Sequence, residues 1–216
     1  MSTDLRARVR VGDRDAFGEL FDQFARDVYN HAYRLTADWS IAEDVMSTTF
    51  GEAWRVHERV DVEGGSLKPW LLGIATNVAR NLRRGDRRYR ATALAMSRAE
   101  VTIADHADEV DGRLDDAERL AAAMGALAAL RPDEREVLTL CFWEGLSYAE
   151  AAAALDLPVG TVRSRLSRAR EKLRRHTDAT QAAGKVAGKK REPWALIRRV
   201  LGDRSHAART TQEGTR

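Results

Sequence analysis

The stretch Gly145 to Arg175, GLSYAEAAAALDLPVGTVRSRLSRAREKLRR, leaves its chain little conformational choice. Ser147 and Glu150 have capping-box spacing, in which hydroxyl and carboxylate each satisfy a free N–H at a helix start. That helix is short, because Asp156-Leu157-Pro158 predicts its end. A second helix follows, with Val162, Leu166, Ala169 and Leu173 on one stripe and arginines on the other side. Two short helices joined by a tight turn make a helix-turn-helix. Small residues at Ala149, Ala152 and Ala153 are expected to let the helices cross closely.

A helix of this kind can enter the major groove and present residues near its N-terminus to base edges. Arg163, Ser164, Ser167 and Arg168 fall on one side at helical spacing. Arginine can bond guanine N7 and O6 together, and serine fits small gaps against bases or phosphates. Thr161, Arg165 and Arg170 are better suited to phosphates, which position the helix without reading sequence. The alternative is an ordinary surface helix with solvated arginines.

The rest of the chain predicts more helix. Phe17, Leu20, Phe21, Phe24, Val28, Ala32 and Leu35 recur at helical period, and Val45, Thr49, Ala53 and Val56 form a second register with Phe50 and Trp54 alongside. Gly64-Gly65 breaks the pattern, and Ser66 can cap a third helix that tolerates Pro69 in its first turn. This helix continues through Leu71, Ile74, Ala75, Val78 and Leu82. Later, Pro132 opens a helix that Gly145 can close. The expected fold is all-α: an N-terminal helical bundle over residues 1–90, a flexible acidic linker over 91–118, a helix-turn-helix domain over 119–176, and a mobile tail over 177–216. Within the tail, Trp194, Ile197, Val200 and Leu201 could line one side of a short docking helix; a floppy tail is the alternative.

Charge is distributed in blocks. From Arg80 to Arg90 there are six arginines against Asp86; from Glu100 to Glu118, eight acids against Arg113; from Arg163 to Arg175, seven basic residues against Glu171. Two basic blocks flanking an acidic one point to two polyanion-binding surfaces, although arginine-rich helices can also be plain solvated faces. The single Cys141 excludes an internal disulfide and a multi-cysteine zinc site, and the histidines show no ligand spacing, so neither metal nor cofactor is expected. There is no phosphate loop or nucleophile elbow, and Glu43-Asp44 point apart on a helix, so an enzyme is not expected. MSTDLRARVR does not resemble a signal peptide, and no apolar run is long enough to cross a bilayer, which predicts a cytoplasmic protein with no membrane partner.

The helix-turn-helix, with its lead-in LAALRPDEREVLTLCFWEGLSYAE (residues 127–150), resembles the fourth-region domain of extracytoplasmic-function sigma factors of the sigma-seventy family. DAFGELFDQF (15–24), AEDVMSTTFGEAWR (42–55) and LKPWLLGIATNVARNLRRGDRR (67–88) resemble that family's second-region domain. Cys141 stands where members often carry arginine, and Ser47 and Thr48 where glutamine and glutamate are usual. The resemblance implies that the C-terminal domain binds the minus-thirty-five promoter element and, through its apolar surface, the beta flap of RNA polymerase. It implies that Asp44, Val45, Phe50 and Trp54 meet the beta-prime clamp helices or support that contact. For Phe50 and Trp54, burial in the domain's own core is the expected primary role, with the polymerase contact as the alternative.

The same resemblance implies minus-ten recognition by a loop, Glu63 to Lys68, and by the helix after it. Asn77 and Asn81 would read an extruded base, because an amide offers both donor and acceptor. Arg80, Arg83, Arg84, Arg87 and Arg88 would follow the opened strand. Trp70 could stack on a base or serve the core. With no nucleotide-hydrolysis motif, strand opening must be driven by binding energy. The implied partners are core RNA polymerase, promoter DNA and a separate anti-sigma factor, with the linker threading toward the polymerase cleft or acting as a plain tether. The alternative is a helix-turn-helix regulator that acts without core polymerase.

Overall fold

The structure, a computed structural model, describes residues 2–96 and 125–183, with side chains at 5–85 and 125–176. Among the described residues there is no strand. Helices α1 (Ser2–Arg10), α2 (Arg14–Thr36), α3 (Trp39–Arg55) and α4 (Lys68–Met96) build a first module. Helices α5 (Pro132–Leu138), α6 (Tyr148–Leu155) and α7 (Val159–Ala183) build a second, with α5 running into a π-helical turn at Thr139–Trp143.

Each boundary has a local cause. Asp13 Oδ1 accepts the N–H groups of Asp15 and Ala16 and so starts α2. Ala37 ends it in the left-handed region at φ 59°, with its N–H on the Tyr33 carbonyl. Asp38 Oδ1 accepts Ile41 N–H at 2.9 Å and starts α3. Ser66 Oγ accepts Lys68 N–H at 3.1 Å ahead of α4, where Pro69 occupies the first turn as expected. Gly145 takes φ +70°, a conformation that only glycine adopts without strain, and it separates the π turn from α6.

The apolar stripes meet in the core. Leu20, Phe24, Val28, Ala32 and Leu35 of α2 pack with Ala42, Val45 and Ala53 of α3 and with Leu71, Leu72, Ala75 and Val78 of α4, all buried. In the second module Leu127, Val137, Leu140, Ala151, Leu155, Val162, Leu166, Ala169 and Leu173 are buried. Several expectations need correction. Phe21 and Leu82 are exposed, lying just outside their stripes. Ala149 and Ala153 are exposed as well; the buried small residues of α6 are Ala151 and Ala152. Helix α1 was not expected: Val9 buries its side chain, and Arg6 holds the loop before α4 by bonding the carbonyls of Gly65 and Asp61. Helix α4 runs to Met96, so residues 91–96 are helical where a linker was expected, and α7 likewise extends past His176 to Ala183. The acidic block and the Trp194–Leu201 stripe lie outside the described residues.

The modules touch. Helix α6 lies on α4, and the π turn and α5 reach α2, so one apolar core runs through both. Near this junction His31 is fully buried, its Nε2 2.9 Å from Thr76 Oγ1. The Thr76 hydroxyl donates to the Leu72 carbonyl at 2.7 Å. Its oxygen is therefore free to accept, which places the imidazole proton on Nε2. Nδ1 has no hydrogen-bond partner among the described residues. Burial, with Arg34 and Lys68 nearby, pushes the imidazole pKa down to about 3 from 6.5.

Because the unfolded chain takes up this proton first, His31 contributes full stability above pH 6.5 and loses it as pH falls toward 3. Unfolding free energy measured by denaturant at stepped pH should therefore fall more steeply in wild type than in His31→Leu. The expected difference is about 1.4 kcal/mol per pH unit inside that window. Equal slopes would contradict a neutral buried imidazole.

Candidate nucleic-acid interfaces

Helices α6 and α7 form the expected helix-turn-helix. Ser147 N–H donates to Glu150 Oε2 at 2.8 Å, and Glu150 N–H to Ser147 Oγ at 3.2 Å, completing the capping box. Asp156 closes α6 at φ 53°. Val162, Leu166, Ala169 and Leu173 anchor α7, which turns Arg163, Ser164, Ser167, Arg168 and Arg170 outward. Arg163 lies over the Tyr148 ring at 5.9 Å. Arg168 Nε donates to the Ser164 carbonyl at 3.2 Å, and the Ser164 hydroxyl donates to Thr161 O at 3.0 Å. Thr161 and Arg165 are half-buried, and Arg165 pairs with Asp133 at 3.4 Å. Lys172 reaches the buried Glu134 carboxylate at 2.7 Å and ties α7 to α5.

On α4, Asn77 and Asn81 are exposed one turn apart, with Arg84 exposed and Arg83 half-buried. Arg87 and Arg88 belong to the same helix, but their side chains lie outside the described ones. Two cations expected at this face already have partners in the second module. Arg80 holds Glu136 with Nε on Oε1 at 2.8 Å and Nη2 on Oε2 at 2.5 Å. Arg80 Nη1 also donates to Asn77 Oδ1 at 3.1 Å. Lys68 Nζ lies 2.9 Å from Glu144 and 3.0 Å from Asp27. Trp70 is half-buried and lines a cleft between α4 and α6 with Ser66, Asn77 and Glu150.

The residues expected at a polymerase contact divide by burial. Val45 is fully buried, so it supports the α3 surface and cannot form it. Asp44 is exposed. Trp54 is 41% exposed, which corrects a core role for its ring; it meets Phe17 edge-on at 4.7 Å. Phe50 is half-buried against the exposed Phe21 at 4.9 Å. Together these rings make an aromatic strip along α2 and α3.

Hydrophobic periodicity alone does not reveal the polar junction. Glu144, nearly fully buried, holds Arg34 on Oε1 at 2.7 Å and Lys68 on Oε2 at 2.9 Å. Burial pushes its carboxyl above the ordinary range, while Lys68 and Arg34 pull it back. Burial pulls the Lys68 ammonium down, but Glu144 and Asp27 outweigh that and raise it. Arg135 is buried and donates to the carbonyls of Leu127, Ala128 and, across the junction, Leu35 at 3.0 Å. An arginine and a glutamate inside the apolar run EREVLTLCFWEG were the available signal: a charge within a core helix needs a buried partner. Burial pushes the Cys141 thiol up to about 11, so it stays protonated. Among the described residues no cluster of His, Cys, Asp or Glu could hold a metal, and no helix is long and apolar enough to cross a membrane.

An all-helical protein with a basic-faced helix-turn-helix behind a helical bundle belongs to the class of DNA-binding transcription factors. Residues 20–89 match the family Sigma-70 region 2, and residues 120–173 match Sigma-70, region 4. The ECF RNA polymerase sigma factor SigE of Mycolicibacterium smegmatis is 36% identical over 76% of this chain, which spans 63% of that relative's length. RNA polymerase sigma factor CarQ of Myxococcus xanthus is 34% identical over 77% of this chain and 92% of its own. Among solved structures, the sigma factor RpoE of Bartonella quintana, crystallised with the anti-sigma factor NepR, superimposes with a TM-score of 0.57. It is 27% identical, with 75% of this chain and 96% of that one covered. The chain belongs to the ECF sigma factors, a family of transcription initiation factors that are not enzymes.

Arg135 offers a direct check on the junction. Arg135→Ala leaves several buried carbonyls without a donor and should lower unfolding free energy by about 2 kcal/mol or more. Arg135→Lys should recover little of that, because one ammonium cannot span the fork of carbonyls. Guanidinium titration of the three proteins is the measurement, and full rescue by lysine would contradict the geometry.

Proposed function

We propose that this chain binds core RNA polymerase in the cytoplasm, carries it to particular promoters and helps open the strands. The observation that carries this reading is the outward row Arg163, Ser164, Ser167 and Arg168 on a helix whose opposite side is buried. That row suits direct readout of a minus-thirty-five element in duplex DNA, with Thr161, Arg165 and Arg170 on phosphates. Lys68, Asn77, Arg80, Asn81, Arg83, Arg84, Arg87 and Arg88, with the loop before α4, are assigned to the minus-ten element. Phe50, Trp54 and Asp44 are assigned to the clamp helices, with Val45 supporting them from within. The domain limits proposed are 1–90 and 119–176, the latter also meeting the beta flap.

A separate anti-sigma chain is proposed as the regulator, supported by the Bartonella relative that was crystallised with one. Opening the duplex costs a few kcal/mol per unstacked step, and capture of extruded bases by Asn77 and Asn81 must offset it. A helix-turn-helix regulator independent of polymerase would bind its duplex site without core enzyme, usually as a dimer.

Run-off transcription with purified core polymerase on a promoter library tests the reading. Transcripts from a defined promoter subset are expected only when the chain is added, and their absence despite folded protein would refute it. On a promoter found this way, Arg168→Ala should cost about 1–3 kcal/mol and relax preference at one base pair. Arg170→Ala should weaken all sequences alike and reduce the salt slope by about one.

A further inference from the structure

Arg6 of α1 directs its whole guanidinium at one loop. Nε donates to the Gly65 carbonyl at 2.7 Å, Nη1 to the Asp61 carbonyl, and Nη2 to the Ser66 carbonyl at 3.4 Å. Among the described residues, 61–66 form no backbone–backbone hydrogen bond of their own. Side chains help only near the two ends, where Asp61 Oδ1 accepts Glu63 N–H at 3.0 Å and Ser66 Oγ accepts Lys68 N–H at 3.1 Å. Gly64, at φ +137°, and Gly65 make such a loop entropically costly to order. A guanidinium, with its donors fixed in one fork, supplies bonds to three of its carbonyls at once. A Cβ on Gly64 would lie 3.4 Å from the Arg6 guanidinium carbon, so glycine also leaves room for the cation beside the backbone.

The clamp is itself held. Val9 is fully buried, Arg10 Nη1 donates to the Val60 carbonyl at 2.8 Å, and Arg8 pairs with Asp13 and Glu19 at 2.8 Å each. Helix α1 is thereby fixed to the start of α2 and to the residue from which the loop departs. At its other end the loop runs into Leu67, which is buried, and then into α4. Arg6, Gly65 and Ser66 line the cleft that Trp70 and Asn77 also line. Arg6 lies ahead of residues 20–89, so the family match assigns it no part.

We propose that Arg6 is a positioning residue for minus-ten recognition: it holds loop 61–66 in the conformation that discriminates an extruded base, and touches no base itself. The inference rests on the assignment of this loop to the minus-ten element under Proposed function. With its carbonyls released, a loop bearing two adjacent glycines samples many conformations, and only the competent fraction can grip the right base. Apparent affinity for that base falls in proportion to the fraction. A wrong base, which makes few of the loop contacts, loses little. Release of the clamp therefore narrows the gap between right and wrong bases.

The test uses the full chain with core polymerase, on a promoter found by the run-off library and varied one base at a time through its minus-ten element. The readout is the ratio of run-off from the best element to that from each single-base variant. In Arg6→Ala this ratio should shrink about tenfold at the base the loop reads, as expected if the competent loop falls to roughly one-tenth occupancy. Core polymerase binding and affinity for the minus-thirty-five duplex should stay at wild-type levels. Arg6→Lys should recover little, because one ammonium cannot span three carbonyls, and full recovery would overturn the clamp. An unchanged ratio, an equal loss of output from every minus-ten sequence, or loss of core binding by the folded Arg6→Ala variant would each overturn the inference. Should Arg6→Ala fail to fold by circular dichroism, Gly64→Ala decides on the same criterion, since it strains the same loop without altering α1. A wild-type chain that supports run-off, with Arg6→Ala keeping its ratio, defeats this inference alone. A wild-type chain that supports none defeats the proposed function, and this inference with it.

Discussion

Glu144 is a carboxylate with 3% of its side chain exposed, placed where a peptide chain turns from a π-helical segment into a helix-turn-helix. Removing such a group from water costs several kcal/mol unless partners replace the solvent. Here they come from the other module, Arg34 at one oxygen and Lys68 at the other, and Lys68 also draws on Asp27. Arg34 in turn lies over the Trp143 ring at 5.7 Å. Since Gly145 and the capping box follow at once, the ions that hold Glu144 also set the direction in which α6 leaves. The orientation of the helix-turn-helix against the first bundle is thus fixed at one buried charge. Arg135 on the Leu35 carbonyl and Arg80 on Glu136 fix the remaining freedom.

Elements with strong local signals could be read from the sequence, and those that depend on distant partners could not. The stripe of α2 and the capping box at Ser147 each encode their structure within a few residues. The same holds for Leu166 and Ala169, whose burial follows from period alone. Trp54 shows the limit of period: it flanks the buried register of Val45, Thr49 and Ala53, yet its ring lies on the surface because Phe17 and His57 flank it there. Helix α1 was missed because a short, arginine-rich segment has poor intrinsic signal. Its stability comes from Val9 in the core and from Arg6 on a loop more than fifty residues away.

The candidate site divides the same way. Arg163, Ser164, Ser167 and Arg168 are exposed as their spacing predicts, since a helix with one buried side must show the other. Lys68 and Arg80 lie on the helix that the pattern predicts, paired with acids that the pattern does not predict. Nothing local to them tells that Glu144 and Glu136, 76 and 56 positions further along, would claim them. Gly73 is the same case: it reads as a weak point in a helix, and its purpose appears only when the Ala154 carbonyl lies against it.

What the junction covers and what it leaves open together impose an order. The aromatic strip of Phe21 and Trp54 is exposed while α6 lies on α4, and so is the outward row of α7. A large partner that grips the strip can therefore dock on the closed form without first breaking the junction. Duplex contacts by α7 are likewise available, and so are Asn77, Asn81 and Arg84 on α4, whereas Lys68 and Arg80 are paired with acids of the second module. Freeing Lys68 and Arg80 for any other anion requires the modules to part. A partner that holds the two modules apart supplies the free energy for that separation through its own contacts, and strand capture, which has the duplex to open, no longer has to supply it as well.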